Sequence, residues 1–252
     1  MSCHTTLCKL LAYWGKRFKV KKLGCSMDMS EAWQAIKDLS REEFEERIKH
    51  QGLPEARKDL LFKFIRGDIQ VSYSCKPDIE AYVLKYLMPE FYESIPHKGH
   101  PYSSNELYEY DPPKNGQNIL KHGIGFGEVV SYSRKFGTLL VPIPNEVDGE
   151  RCVIFSDLDL KRDGDELEIP PPGIREMNYT ISIANHRNGK FRFISARILS
   201  SKKKKYEETI AQVLGEIIPD EQARRSFIDR CVEILEENLI QPASLGSESG
   251  AP

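Results

Sequence analysis

Two runs of β-like residues joined by Asn188-Gly189 constrain this chain more than any other stretch. Between Tyr179 and Ile183, Tyr179, Ile181 and Ile183 fall on one face, with Thr180 and Ser182 on the other. That period of two is what a half-buried strand needs. Phe191 to Ile198 forms the second run. Asn-Gly tolerates positive φ in a two-residue turn, so the pair predicts an antiparallel hairpin. Three shorter runs precede it: Val129 to Tyr132, Thr138 to Val141 and Cys152 to Phe155. Gly- and Pro-rich connections separate them. Five short strands in this order predict a small closed barrel, because closure removes the exposed edges.

The spacing fits an OB-fold, and the stretch 125–199 resembles a cold-shock domain. The matching residues are Gly127-x-Val129 at the first strand, Lys135-Phe136-Gly137 in place of the first RNA-binding motif and 153–158 (VIFSDL) in place of the second. Gly164-Asp165-Glu166-Leu167 falls at a turn, and Gly189-Lys190 precedes a last strand ending in 196–199 (ARIL). The resemblance implies a five-stranded barrel that binds single-stranded RNA or DNA. It makes Tyr132, Phe136 and Phe155 the rings that stack on bases, and Arg134, Lys135, Lys190 and Arg192 the cations that follow phosphates. Stacking of this kind contributes about 1–3 kcal/mol per base. The sequence departs from the family at Ser131, where Trp is usual, at Thr138, which replaces an aromatic, and at Ile154, which replaces a His. The neighbouring Lys202, Lys203, Lys204 and Lys205 add a cationic run that would make binding salt-dependent.

At 252 residues the chain has room for one large domain or two small ones. Its formal net charge of -2 hides an uneven distribution. Residues 1–27 carry Lys9, Lys16, Arg17, Lys19, Lys21 and Lys22 and no acid. The region after Lys205 is acidic, with Glu207, Glu208, Glu216, Asp220, Glu221, Asp229, Glu233, Glu236 and Glu237 against Arg224, Arg225 and Arg230. A basic arm with an acidic helical end is a pattern of interaction more than of catalysis. The six cysteines are scattered, which reads as reduced thiols in the cytoplasm. The alternatives are a nuclear or an organellar location, since the basic start also has the composition of a presequence. No apolar run reaches the roughly 18 residues of a membrane span.

The expected fold class is α+β: a five-stranded OB-fold-like β-barrel flanked by an N-terminal helical domain and a C-terminal helical hairpin. The expected segments are a basic arm (1–28), a helical domain (29–95), a Pro/Gly/Tyr-rich linker (96–119), the barrel (120–200), the hairpin (201–241) and a disordered tail (242–252). In the helical domain, Ser30 is a candidate cap for the first helix. Ser40 and Glu43 make an S-x-x-E capping box. Pro54 and Pro77 fit helix first turns, where a missing N–H costs nothing. Ile69, Val71 and Tyr73 alternate as a short strand. In the hairpin, Tyr206, Ile210, Val213, Leu214 and Ile217 form one stripe and Ala223, Phe227, Cys231 and Leu235 the other. Residues 206–240 are also a candidate surface for self-association.

Little points to catalysis or a cofactor. Cys3-His4-x3-Cys8 and His97-x-x-His100 each supply only part of a zinc ligand set. The acids of 157–168 fall in a turn-rich connection with no matching nucleophile or base. Phosphate-cradle, Rossmann and nucleophile-elbow motifs are absent from the sequence. Two functions follow. The first is a non-enzymatic single-stranded nucleic-acid binding adaptor, for RNA more than DNA, using the rings and cations above with protein partners on the helices. The alternative is a protein–protein scaffold whose barrel has lost its nucleic-acid surface, a reading the missing aromatics favour.

Overall fold

The computed structural model describes residues 27–71, 75–96, 102–103, 107–130, 138–144, 151–157, 177–200 and 202–238. The fold is mixed α and β. The chain divides into two compact units, Met1–His100 and Pro101–Pro252.

The first unit is helical. Helix α1 (Met29–Lys37) is capped by Asp28, two residues before the Ser30 cap expected from the sequence. The Asp28 carboxylate accepts the Glu31 N–H at 3.0 Å, and the Glu31 carboxylate accepts the Asp28 N–H at 2.7 Å. This reciprocal arrangement satisfies two amides that a serine inside the helix cannot reach. Helix α2 (Arg41–Ile48) uses the Ser40–Glu43 box. Helix α3 (Glu55–Arg66) follows Pro54 and stops at Gly67, whose φ of 87° is left-handed. Helices α4 (Lys76–Leu87) and α5 (Pro89–Ser94) both carry proline in the first turn. Ile36, Phe44, Ile48, Leu61, Ile65, Ile79, Tyr82 and Leu87 fill the interior. The Arg66 guanidinium donates to the Leu39 carbonyl at 2.8 Å, tying α3 to the turn between α1 and α2. Residues 69–71 are not a strand, and Tyr73 lies outside the described residues.

The second unit is built on a six-stranded sheet in the order β1-β2-β6-β5-β4-β3. The strands are β1 (Tyr102–Ser103), β2 (Tyr108–Tyr110), β3 (Thr138–Pro142), β4 (Arg151–Asp157), β5 (Met177–Arg187) and β6 (Lys190–Ser200). All neighbours are antiparallel except β2 and β6. The β5–β6 turn forms at Asn188 (φ 52°) and Gly189 (φ 73°), the positive values that Asn-Gly permits. Among the described residues the sheet is open, with β1 and β3 at its edges, and it does not close into the expected barrel.

Two differences from the sequence reading explain this. The expected linker contains helix α6 (Pro112–His122), with Pro112 and Pro113 in its first turn and Gly123 (φ 72°) at its end. A Pro-Pro-Lys-Asn-Gly string reads as a breaker, yet proline is tolerated where the helix N–H groups are unpaired. Residues 126–130 are helical, here α7, so Val129 and Val130 of the expected first barrel strand are not extended; its Tyr132 lies outside the described residues. The Gly125 N–H donates to the Glu128 carboxylate at 2.5 Å, and Phe126 and Val129, three apart, are both fully buried. A cap and an i, i+3 apolar pair override the β preference of Val129 and Val130.

Both faces of the central strands are covered, while Thr138, Leu140 and Pro142 of β3 stay exposed. Helices α8 (Lys203–Gly215) and α9 (Glu221–Asn238) lay Tyr206, Ile210, Val213, Leu214, Phe227, Cys231 and Leu235 on Val153, Phe155, Ile181, Ile183 and Leu199. The Asp220 carboxylate caps α9 through the Ala223 N–H at 2.7 Å. On the other face, Ile124, Phe126 and Val129 pack with Cys152, Ile154, Ala184, Phe193, Ala196 and Ile198.

A buried side chain fixes the second layer. Asn118 on α6 donates to the Ala196 carbonyl at 3.0 Å and accepts the Ala196 N–H at 3.0 Å. It also donates to the Ile124 carbonyl at 2.8 Å. The amide pairs with the main chain of β6 as a strand would, beyond the β2 contacts at Phe191 and Arg192. Nearby, the Asn115 side chain accepts the Phe126 N–H at 2.8 Å. Asn118→Ala leaves an N–H and two carbonyls unpaired in the interior, and each orphaned group costs about 1–3 kcal/mol. We expect urea denaturation to show a loss of about 3 kcal/mol or more. Asn118→Leu, which restores volume but no polar atoms, should lose as much; recovery by Leu would mean that Asn118 acts only by packing.

Candidate functional site

The proposed stacking rings do not form a described platform. Phe155 lies on β4 with no exposed surface, among Ile181, Tyr206 and the α9 stripe. This corrects its assignment as a base-stacking residue, since a ring covered on both faces has none to offer. The register is the cause: Phe155 opposes Ile181 and Leu139 and so shares their face, which α8 and α9 cover. Tyr132, Arg134, Lys135 and Phe136 lie outside the described residues.

The described cations do not converge. Lys190 and Arg192 sit at the turn end of β6, whereas Lys202, Lys203 and Lys204 follow its other end. An 11-residue strand rising about 3.3 Å per residue holds the two groups some 30 Å apart. They therefore do not line one short groove. Arg192 lies 3.7 Å from the Glu109 carboxylate. Lys203 pairs with Glu236 at 2.6 Å and approaches Glu207 at 3.9 Å. Glu236 also accepts the Tyr206 hydroxyl at 2.6 Å. The Lys203 and Tyr206 donors together hold the Glu236 carboxyl below its usual range. Lys202, Lys204 and Lys205 are exposed at the start of α8.

Two features escaped the sequence reading because they join residues far apart in the chain. On β6, Arg197 pairs with Glu216 at 2.6 Å. Burial lowers the Lys121 amine first, with the charges of Lys114 and Arg197 adding to that and Glu216 opposing it. In the helical unit, a cleft of about 550 Å³ opens beside Trp33, Lys37, Phe64, Gln70, Lys76 and Glu80. Trp33 and Phe64 meet edge to face, 6.3 Å between centroids. Lys76 lies 3.8 Å from the Glu80 carboxylate. Burial raises the Glu80 carboxyl, and Lys76 partly offsets this.

Among the described residues no group of three or more His, Cys, Asp or Glu side chains is arranged to hold a metal. In the same set, no helix is long and apolar enough to cross a membrane. Comparison with known proteins gives no match to a family model, a curated protein or a solved structure.

Two of the buried thiols, Cys152 and Cys231, are disfavoured as thiolates by their surroundings. Burial pushes Cys152 up to about 11 and Cys231 up to about 12, the nearby Arg230 only partly opposing the second shift. Unfolded thiols titrate near 8.5. Above that value the folded chain retains protons that the unfolded chain releases, so these groups make stability fall as pH rises toward 12. Tyr82 and Tyr206, raised chiefly by desolvation, act in the same direction. We expect Cys152 and Cys231 to resist iodoacetamide at pH 8 until denaturant is added, read peptide by peptide by mass spectrometry. The urea midpoint should fall between pH 9 and 11, values of about the thiol titration range. Rapid labelling of either thiol in the folded chain would contradict this.

Proposed function

We propose that the chain is a non-enzymatic adaptor that binds other proteins, with the sheet unit as its rigid frame. The observation that supports this is the covering of both faces of the central strands by the chain's own helices, with Phe155 sealed inside. The central strands offer no open face to bases, but the sheet still has its edges. Among the described residues β3 pairs with β4 alone. Its Thr138, Leu140 and Pro142 are exposed, and Leu140 keeps 46% of its surface. Main-chain N–H and C=O groups on such an edge can receive an extended segment of a partner, with Leu140 supplying an apolar contact.

A second reading is retained because of one local arrangement. The cold-shock resemblance implies single-stranded nucleic-acid binding, and α8 opens with Lys203, Lys204 and Lys205 after Lys202, with no side-chain cap and no acid in its first turn. Cations at the positive end of a helix dipole are unfavourable, and a phosphate there relieves both terms. Lys202, Lys204 and Lys205 are the exposed members available for it.

Fluorescence polarisation with single-stranded oligonucleotides separates the readings. The adaptor reading predicts no saturable binding tighter than about 10 μM at physiological salt, within the range of non-specific electrostatic association. It also predicts that extended peptides selected against the full chain protect amides within Leu139–Val141 from hydrogen exchange and lose affinity with Leu140→Lys. Submicromolar oligonucleotide binding would overturn it, if lost on combined Lys202→Ser, Lys204→Ser and Lys205→Ser. Three phosphate contacts would give a slope of log K against log salt near about -2.

A further inference from the structure

We infer that the cleft in the helical unit is a binding site for a small aromatic carboxylate, with Trp33 and Phe64 receiving the ring and Lys37 receiving the charge. Trp33 and Lys37 lie four apart on α1, and so share one face of that helix. Phe64 comes from α3 and meets the Trp33 indole edge to face. A guest ring can extend this pair, since offset and edge-to-face arrangements match the ring quadrupoles. The volume of about 550 Å³ lies within the range of small-molecule sites, and the wall combines apolar surface with the polar groups of Lys37, Gln70, Lys76 and Glu80.

The charge of the lining selects an anion. Lys76 has its partner in Glu80, 3.8 Å away, so that pair contributes no net charge. Lys37 lines the same cleft, is half-buried and forms no ion pair among the described residues. The three groups sum to one unit of positive charge beside a ring pair, which is the complement of one carboxylate on one aromatic body. Lys37 also stands in the last turn of α1, where its charge suits the helix dipole. That role accounts for its position along the helix. It does not account for a cleft with two aromatic rings beside it. The site is separate from the β3 edge and does not depend on the adaptor reading.

Calorimetric titration of the full chain with 1-naphthylacetate, and with its neutral analogue 1-naphthylacetamide, tests the inference. The acid should bind at least about tenfold more tightly than the amide, the effect of one charge-assisted contact. Lys37→Met should lower the affinity for the acid by a similar factor and bring the two probes together, while Lys37→Arg keeps the preference. Trp33→Leu should weaken both probes, and chemical-shift changes should fall on α1 and α3. Equal affinity for acid and amide in the wild type would overturn the assignment. An unchanged preference in a folded Lys37→Met variant, or shift changes confined to the second unit, would do the same.

Discussion

The double burial of β5 and β6 governs the second unit. Each strand lies between two neighbours in the sheet and also between two layers of helix. Phe155 and Ile181 belong to the layer under α8 and α9, while Phe193, Ala196 and Ile198 belong to the layer under α6 and α7. Buried apolar area of this kind stabilises by roughly 25 cal/mol per Å². Moving either helical layer away to expose a face would forfeit it. The Asn118 amide makes the arrangement specific, because only one placement of α6 satisfies the Ala196 main chain and the Ile124 carbonyl together.

That constraint limits what the sheet can do. Flat rings on its covered faces are unavailable to bases. Cations along β6 are divided between its ends, and several are engaged by carboxylates of the chain itself: Arg192 by Glu109, Arg197 by Glu216 and Lys203 by Glu236. Surface pairs of this type add little stability. They nevertheless place negative charge where a phosphate would otherwise sit. The acidic end of the chain noted in the sequence thus acts partly on its own lysines and arginines.

The β5–β6 hairpin was legible because Asn188-Gly189 carries its own backbone requirement, and the α8 and α9 stripes because their spacing follows the helix period. The second buried face was not. Thr180 and Ser182 alternate with isoleucines and so read as a solvated face, yet both have no exposed surface. Their hydroxyls find no hydrogen-bond partner among the described residues. Small polar side chains fit beneath a helical layer, and the alternation alone does not distinguish that burial from solvation. Helices α6 and α7 were missed for a related reason. Their proline, glycine and valine residues suggest turns or strands, whereas caps and long-range pairing by Asn115 and Asn118 decide the outcome. The cleft was illegible because Trp33, Phe64 and Glu80 come from three helices, and no local pattern unites them.

Denaturation of Phe155→Ala tests most directly whether this sheet is a sealed frame. The ring is fully buried between β4 and the two C-terminal helices, so its removal should cost about 3–5 kcal/mol of unfolding free energy. Unchanged stability, accompanied by weaker binding of single-stranded oligonucleotides, would contradict the account and return Phe155 to an outward, base-stacking role.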